Sequence, residues 1–559
     1  MNHFHINVTN RREFLGTVGK AGVLAALGTL TNIPFVMKQA LAAGIGQPGP
    51  DGKIKKLLFI WLRGANDSLN SVIPIMDPAY VASRPTGGNN IGLPMESGGG
   101  NPNAYYSATG IGCDFLPSVS APTYGNYPYA IRTGNGFAAL HPSLKFLAPV
   151  YNSGDLALIH RIGYPKQSRS HFDSQNYWEN GDPNNNLIKS GIFYRTMIES
   201  GLANSAPLTG VSIQSSLPLI LRGDEAAMTN LTDPERYALL GIPNDTNGIA
   251  KASQFLASGT GLKFAPKKNR DLLDLQYKNL NGTLSLFDSI VGFAESENTF
   301  RDSGTTDGDT AWSTAWGGGY YLFPTTNDKN GGWRRTPGGA VDGNKYVVNP
   351  SHQSFFKNLK AAALVLNKTD AIIAGTQLDG FDTHSNQGGV TGSHPDLQRV
   401  IGWSIYALQK YFTTYTDRAT WDNTVVVTLS EFGRTTRMNS DFGTDHAEGN
   451  VMFVAGGAVK GYNAGNPSGV HNCGGVGDYA GSPWNTGLNG SMFGVSGSYL
   501  KRNTDYRSVL GEIIRKHLGA TPTQLNKIIS GYANSGEHLD TAGLSSIDGT
   551  QVRGEVGIL

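Results

Sequence analysis

The feature that most constrains this chain is a series of short apolar runs separated by segments of helical spacing. Lys56–Leu62 is a nearly continuous apolar run, which is typical of a strand buried on both faces. Comparable runs lie at 156–159, 371–374 and Thr424–Leu429. Because helical patterns separate them, the order predicts an α/β fold, with a mainly parallel sheet sandwiched by helices.

The helical segments are defined by apolar residues that recur every three or four positions. The pattern over 506–518 ends at Gly519, and Thr521 followed by Pro522 is typical of the start of another helix. Other helices are predicted around 140–151, after 271, from about 351 and over 397–412, and a further strand is predicted at 451–454.

Three stretches interrupt this alternation, and each is rich in Gly, Asn, Ser, Pro and Tyr. They span about 84–136, 300–349 and 461–500 and contain many of the 73 glycines of the chain. Loops of this length in a compact protein usually carry function or are flexible. We therefore expect a single α/β domain over 53–559, enlarged by three loop insertions.

The first 43 residues have the pattern of an export signal. Arg11 and Arg12 precede Phe14 and Leu15, a mildly apolar stretch covers 21–36, and an Ala-Leu-Ala triplet ends at Ala42. The paired arginines resemble a twin-arginine (Tat) signal. The alternatives are an N-terminal membrane anchor or a chance Arg-Arg pair. The Tat interpretation predicts passage through the Tat machinery to the periplasm or outside the cell, with no stable membrane span after processing.

The chain has two cysteines, Cys113 and Cys473. An exported protein exposes both to oxidising conditions, so they could form a disulfide. Cys473 follows His471 closely and could instead bind a metal, although no second Cys/His pair at zinc-finger spacing accompanies it.

The charge balance argues against a nucleic-acid partner. The chain has 45 Lys and Arg residues against 43 Asp and Glu residues, which gives a formal net charge of +2. It contains no dense basic run of the kind that neutralises a phosphate backbone.

Acidic residues and histidines lie where the predicted strands end. Ligands of open parallel sheets bind beyond the carboxyl ends of the strands, so we expect these side chains to share one edge. Clustered carboxylates favour a divalent cation: mixed Asp/His ligation suits Zn²⁺ or Mn²⁺, and an oxygen-rich subset suits Mg²⁺ or Ca²⁺. One or two ions are compatible with the six candidate ligands, which are Asp67, Asp382, His384, Glu431, Asp445 and His446.

Each candidate ligand also has a purely structural interpretation. Asp67 and Asp445 could form turns or cap helices, and His384 could be a hydrogen-bonded loop residue. Glu431 could pair with Arg434 or Arg437. The occurrence of the whole set at successive strand ends favours the metal site.

A second polar segment follows the predicted strand at 156–159. Ser170 offers a hydroxyl for nucleophilic attack beside the imidazole of His171, and Arg169 or Arg63 could hold the oxygens of a phosphoryl group. The alternative is a serine-rich turn that caps a helix, with His171 only packed against its neighbours.

The motifs in this order resemble a known family. LRGANDSLN at 62–70, SRSHFDSQ at 168–175, FDTHSNQ at 381–387, SEFGRT at 430–435 and GTDHAEGN at 443–450 are similar to those of a Tat-exported bacterial family catalogued as domain of unknown function fifteen hundred and one. That family resembles a branch of the alkaline-phosphatase-like and sulfatase-like superfamily.

The resemblance implies an alkaline-phosphatase-like fold and a metal site. Asp67 matches the first metal position, Asp382 and His384 resemble an Asp/His loop, and Asp445 and His446 resemble the last ligand loop. Glu431 departs from the family pattern, because many superfamily members carry an Asp-His pair there. The sulfatase signature Cys/Ser-x-Pro-Ser-Arg is also absent from the segment 164–169, which reads Tyr-Pro-Lys-Gln-Ser-Arg.

These observations favour an exported, metal-dependent hydrolase of phosphate esters, or less readily of sulfate esters, acting on a small-molecule or surface ester. The alternative is a non-catalytic periplasmic or surface binding protein that retains the hydrolase fold. A Tat-exported redox enzyme is a third hypothesis, which rests on the signal alone.

Overall fold

A computed structural model describes most of the predicted sheet and its helices. The predicted signal segment, the helix expected after residue 271, Cys113, Cys473 and most of each predicted insertion lie outside the described residues. The described residues are 44–49, 51–75, 78–94, 130–133, 138–144, 146–203, 208–226, 228–234, 297–300, 320–325, 350–461, 470–471, 498–500, 502, 504–529, 532 and 555–559.

The strands of the described part vary from two to eight residues in length. In chain order they are β1 (Lys56–Leu62), β2 (Val72–Ile73), β3 (Ile131–Arg132), β4 (Ala139–Leu140), β5 (Leu156–Gly163), β6 (Gly210–Ile213), β7 (Thr229–Leu231), β8 (Thr299–Phe300), β9 (Tyr320–Tyr321), β10 (Ile373–Leu378), β11 (Thr424–Leu429), β12 (Asn450–Ala455), β13 (Val470–His471) and β14 (Thr504–Asp505).

The helices of the same residues include two long ones that cover one face of the sheet. In chain order they are α1 (Ser68–Ser71), α2 (Pro78–Ser83), α3 (Leu147–Asn152), α4 (His171–Asn180), α5 (Ile192–Glu199), α6 (Gln353–Lys368), α7 (Ser393–Thr414), α8 (Tyr506–Glu512) and α9 (Pro522–Ile528). A π-helical turn, Ile513–His517, continues α8.

The main sheet has the order β13-β5-β12-β11-β1-β10-β6-β7, and β14 also pairs with β5. Strand β1 pairs in parallel with β10 and β11, and the parallel pairing continues through β6 to β7. Strand β12 is antiparallel to both β11 and β5. The prediction of an α/β fold with a mainly parallel sheet between helices is therefore confirmed, and β12 makes the sheet mixed.

Strand β1 shows why its sequence is apolar without interruption. Leu58, Ile60 and Leu62 face a core that includes apolar residues of α6 and α7. Their neighbours Leu57 and Phe59 point to the opposite core, which includes residues of α4, α5, α8 and α9. Because side chains alternate between faces, a central strand covered on both sides needs apolar residues at every position.

Most predicted elements match the observed ones, with shifts at their ends. The bounds of β1 and β11 are as predicted, whereas β5 extends to Gly163 and β10 begins and ends later than 371–374. The final helices are also confirmed: Gly519 has a positive φ, and Thr521 forms a capping box with Gln524. Small shifts of this kind arise because hydrogen bonding, rather than apolar character, sets the ends of an element.

The predicted helix over 140–151 is wrong in its first half. Residues Ala139–Leu140 form strand β4 between β2 and β3, a 3₁₀ turn follows at Pro142–Leu144, and α3 starts only at Leu147. Pro142 disfavours a helical conformation for His141, and the His141 amide donates instead to the carbonyl of Ser71.

Within the described residues, no helix is both long and apolar enough to cross a lipid bilayer.

We expect acid to destabilise this fold, because two of its buried histidines have lowered pKa values. Burial lowers the pKa of His160 to about 3 and that of His517 to about 4. The unfolded chain binds protons at these positions near pH 6.5, whereas the folded chain does not. Their contribution to stability is therefore complete above pH 6.5 and is lost as the pH falls. Each should lower the free energy of unfolding by about 1.4 kcal/mol per pH unit below pH 6.

Urea unfolding at pH 7, 6 and 5 measures this effect. The variant His517→Asn should be less stable at pH 7, because its ring no longer donates to the carbonyl of Lys56. Its stability should also fall less steeply with acid than that of the unchanged protein. An identical slope for both proteins would contradict the assignment.

Candidate functional site

Five segments of the chain meet at one edge of the main sheet. Strands β1, β10 and β11 are parallel neighbours, so the residues that follow them emerge together. Strand β5 runs in the same direction through its pairing with β12, and helix α4 follows it. Because β12 is antiparallel, the loop before it returns to the same edge. This topology brings together most of the side chains selected from the sequence.

Close backbone contacts between these loops require glycine at two positions. A Cβ atom on Gly64, which has φ of +107°, would lie 2.5 Å from the amide nitrogen of Asp382. A Cβ atom on Gly433 would lie 1.8 Å from the carbonyl oxygen of Gly449. Both distances are far below van der Waals contact, so the glycines let the loops after β1, β10 and β11 pack directly against their neighbours.

Three imidazole rings converge at this edge. The Nε2 atom of His446 lies 3.0 Å from Nε2 of His171 and 2.9 Å from Nε2 of His384. The three residues come from the start of α4, from the loop after β10 and from the loop before β12. Two imidazoles from distant parts of the chain therefore both contact the Nε2 atom of His446.

The carboxylate of Asp382 completes this group. Its Oδ1 atom lies 3.1 Å from Nε2 of His384 and 3.3 Å from Nε2 of His446. Its Oδ2 atom lies 3.5 Å from Nε2 of His171. His171, Asp382 and His446 each offer one ligand atom within 4.8 Å of the others. We call this group of three histidines and one aspartate (His171, His384, His446 and Asp382) the imidazole cluster.

Each imidazole is also bound through its other nitrogen, Nδ1. The partners are Oε1 of Glu431 for His171 at 2.8 Å, Oδ1 of Asp445 for His384 at 3.0 Å, and the carbonyl oxygen of Arg169 for His446 at 2.8 Å. A carbonyl oxygen only accepts hydrogen bonds, and so does an ionised carboxylate.

Both carboxylates in these contacts have lowered pKa values. Burial alone would raise the pKa of Glu431, but hydrogen bonds from His171, Gln175 and the Gly64 amide lower it. For Asp445, hydrogen bonds from His384 and Asn439 outweigh burial in the same way. Both carboxylates are therefore ionised near neutral pH. Glu431 accepts a hydrogen bond from Nδ1 of His171, and Asp445 accepts one from Nδ1 of His384.

The tautomer of each ring in its neutral form follows from these partners. Since each Nδ1 atom donates, each neutral imidazole carries its lone pair on Nε2. The lone pair of His446 then faces those of His171 and His384, and all three Nε2 atoms lie within 3.5 Å of an oxygen of Asp382. Metal-binding histidines are held in this way, with Nδ1–H bonded to a carboxylate or a carbonyl and Nε2 directed at the ion.

Arg434 connects the loops of the site through hydrogen bonds of its buried guanidinium group. Its guanidinium is fully buried and donates to the carbonyl oxygens of Gly64, Ala65, Phe381 and Thr444 and to the carboxylate of Asp382. Burial alone would raise the pKa of Asp382, but the hydrogen bond from Arg434 prevails and lowers it to about 2. Asp382 is thus held ionised and in position.

The structure places Asp67 in a buried hydrogen-bond network with Arg84 and Gln387. Arg84 donates to both of its carboxylate oxygens, at 2.6 and 2.9 Å, and Gln387 donates to Oδ2 at 2.6 Å. All three side chains are buried. Because its oxygens are engaged by these donors, Asp67 lies outside the imidazole cluster, in contrast to the ligand role expected from the sequence.

Glu431 is likewise a supporting residue in the structure. It accepts from His171, Gln175 and the amide of Gly64, all through Oε1. The predicted alternative, an ion pair of Glu431 with Arg434 or Arg437, is wrong, because Arg434 pairs with Asp382 instead.

The segment containing Ser170 combines both interpretations made from the sequence. Ser170 is the N-cap of α4 and its hydroxyl accepts from the amide of Asp173 at 3.5 Å, as a capped turn requires. His171, in contrast, is a member of the imidazole cluster rather than only a packed residue. The sequence predicts a catalytic role for His171, and the structure places its Nε2 atom 3.0 Å from that of His446.

The two arginines selected from the sequence have different surroundings. The Arg63 guanidinium pairs with Glu179 at 2.8 Å and lies over the ring of Trp61. The Arg169 guanidinium lies 4.5 Å from the ring centre of Tyr499, and it is the Arg169 backbone that touches the cluster.

Sequence reasoning missed three residues that shape the cluster. Arg434 was considered only as a partner of Glu431, and Gln175 was not singled out. Phe432 was also missed: its ring centre lies 4.8 Å from those of both His171 and His446. All three lie within the motifs that follow the predicted strands. Their positions near the strand ends could therefore have identified them from the sequence.

Comparison with known families agrees with part of the resemblance. A family model described as "Protein of unknown function (DUF1501)" matches residues 342–466. This supports membership of that family over a segment that contains Asp382, His384, Glu431 and both residues of the 445–446 pair, but not His171. No curated protein matches the chain.

The contacts of Arg434 predict its importance for stability. Arg434→Met would leave buried carbonyl groups and Asp382 without their donor, so the free energy of unfolding should fall by about 3 kcal/mol. Arg437→Met, an exposed neighbour on the same loop, should change it by less than about 0.5 kcal/mol. Chemical denaturation of both variants tests this, and equal stabilities would refute the role given to Arg434.

Proposed function

We propose that this protein is a metal-dependent hydrolase of phosphate esters, with one transition-metal ion bound by the imidazole cluster. The observation that carries the proposal is the group formed by Nε2 of His171, Nε2 of His446 and the carboxylate of Asp382, whose ligand atoms lie within 4.8 Å of one another, with Nε2 of His384 2.9 Å from that of His446. Lone pairs at such distances repel unless a cation or a proton lies between them.

The distances in the cluster fit this proposal. Ligand nitrogens at 2.0–2.1 Å from a tetrahedral zinc ion are about 3.3 Å apart. The Nε2 atom of His446 lies 2.9 Å from that of His384 and 3.0 Å from that of His171, so each of these two pairs would need to separate by only about 0.3 to 0.4 Å. Each Nδ1–H already has the acceptor that a metal-bound imidazole requires.

The donor types narrow the choice of ion. Imidazole nitrogens suit Zn²⁺ and neighbouring transition metals, whereas Mg²⁺ and Ca²⁺ prefer oxygen ligands. We therefore favour Zn²⁺ or Mn²⁺ over Mg²⁺ and Ca²⁺. One ion is favoured over two, since both carboxylate oxygens of Asp67 are engaged by Arg84 and Glu431 holds His171 through Oε1.

The position of the cluster favours catalysis over a purely structural metal. It lies beyond the carboxyl ends of parallel strands, where open α/β sheets bind their ligands. Asp382 and His384 have side chains that are 47% and 45% exposed, so a substrate can approach from the solvent side. When bound, a divalent cation polarises a phosphoryl oxygen.

The remaining residues would keep this site in its working geometry. Glu431 and Asp445 fix the rings of His171 and His384, and Arg434 fixes Asp382. Ser170 remains the proposed nucleophile: it directly precedes His171 at the N-terminus of α4, where the helix dipole favours a developing negative charge.

Metal analysis tests the proposed centre. The purified protein should contain close to one Zn²⁺ or Mn²⁺ per chain. His171→Ala, His446→Ala and Asp382→Asn should each weaken metal binding by more than about 100-fold, and Glu431→Gln by about 10- to 100-fold. Competition with a chelator of known affinity measures these changes.

His352→Ala is the matched control, because this histidine lies at the start of α6 and belongs to a different part of the fold. Its metal content should equal that of the unchanged protein. A panel of phosphate mono- and diesters, assayed with and without chelator, then measures turnover. Protein without stoichiometric metal would contradict the proposal, whereas bound metal without any turnover would favour the non-catalytic binding protein.

Substitution of Ser170 separates its capping role from a chemical one. Ser170→Ala should cost no more than about 1 kcal/mol of stability through the lost cap, and it should leave the metal content unchanged. If Ser170 is the nucleophile, turnover should fall at least about 1000-fold. Ser168→Ala, which removes an acceptor for the Ser170 amide, is the control for turn geometry. Turnover within tenfold of normal in Ser170→Ala would limit this residue to capping.

A further inference from the structure

Two phenylalanines on segments that supply residues of the imidazole cluster are exposed to solvent. Phe172 is 89% exposed and Phe442 is 37% exposed. In the described residues, the other large apolar side chains with comparable exposure are Val81 and Leu187. Single exposed apolar residues are common, but a pair on two segments that supply metal ligands calls for an explanation.

Phe172 lies in the first turn of α4. It directly follows His171, whose Nε2 atom belongs to the imidazole cluster, and it comes two residues after the proposed nucleophile Ser170. The neighbouring aromatic residue Phe432 is buried against the imidazole rings, whereas the ring of Phe172 is turned into solvent. An exposed phenyl ring therefore belongs to the residue that directly follows a member of the imidazole cluster.

Phe442 lies on the loop that carries Asp445. Its carbonyl accepts from the Gln387 amide at 2.9 Å, which binds this loop to the one carrying Asp382 and His384. Its φ is +58°, a left-handed conformation that glycine or asparagine adopts more easily than phenylalanine. The backbone alone would thus favour a different residue here, so the ring needs another reason to be present.

The charged groups around the site indicate what a substrate carries. The guanidinium groups of Arg63 and Arg434 are already paired with Glu179 and Asp382. The Arg169 guanidinium lies over the ring of Tyr499, and the carboxylates of Asp382 and Asp445 offset part of the charge of a bound cation and repel a phosphate dianion. A singly charged diester meets less repulsion and has a second organic group that can contact an apolar surface.

We propose that Phe172 and Phe442 bind the apolar group of the substrate, and that this substrate is a phosphodiester with an aryl or alkyl substituent. This inference rests on the proposed function. The metal cluster would hold the phosphoryl group, and the two rings would flank it, one on the α4 side and one on the 439–445 loop. Contact of a phenyl group with such rings strengthens binding by dispersion and loss of apolar hydration.

Two phosphinate anions test this directly, because they cannot be hydrolysed. Diphenylphosphinate and dimethylphosphinate carry the same charge and differ only in their apolar groups. Calorimetric titration of the Zn²⁺-loaded full chain should give at least about tenfold tighter binding of diphenylphosphinate. Phe172→Ala and Phe442→Ala should each reduce this preference severalfold without altering the affinity for dimethylphosphinate.

Val81→Ala is the matched control, since it removes an exposed apolar side chain from α2 and should leave the preference unchanged. Equal binding of the two phosphinates by metal-loaded protein, or a preference that survives both phenylalanine substitutions, would overturn the inference alone. A chain that binds no metal but still prefers diphenylphosphinate would overturn the proposed function and leave the apolar contact supported.

Discussion

The geometry of the site depends on one buried guanidinium group. Arg434 donates to carbonyl oxygens in the loops after β1 and β10 and in the loop before β12, and it also binds Asp382. Arginine suits this task because its planar group has five donors and stays charged when it is buried. The loops around the imidazole cluster thus share a single anchor, and a change there would move several site residues at once.

A second arginine supports the site one step further from the imidazoles. Arg84 is buried and holds Asp67, and it donates as well to the carbonyls of Thr435 and Thr436, which follow Arg434 in the chain. The acidic residues at this edge therefore fall into two groups. Asp382 is half exposed and meets the imidazoles, whereas Asp67 is completely buried and braces the loops.

Much of the fold was predictable because burial on two faces leaves a direct mark on a strand. Uninterrupted apolar runs located β1 and β11, and helical spacing located α6 and α7. The helix predicted over 140–151 failed because apolar spacing does not report hydrogen-bond partners, and β2 and β3 take the backbone of residues 139 and 140 into a sheet. Strand β12 was predicted at 451–454, but its antiparallel direction was not, for the same reason.

The sequence by itself determined the fold class and the edge of the sheet at which the polar residues gather, because local patterns record burial and strand direction. Only the tertiary structure decided the role of each residue there. Asp67, Asp382 and Glu431 are all carboxylates after strand ends, yet Arg84, Arg434 and His171 give them different functions. Those partners lie up to 260 positions away, and contacts over such separations leave no periodic trace in the chain.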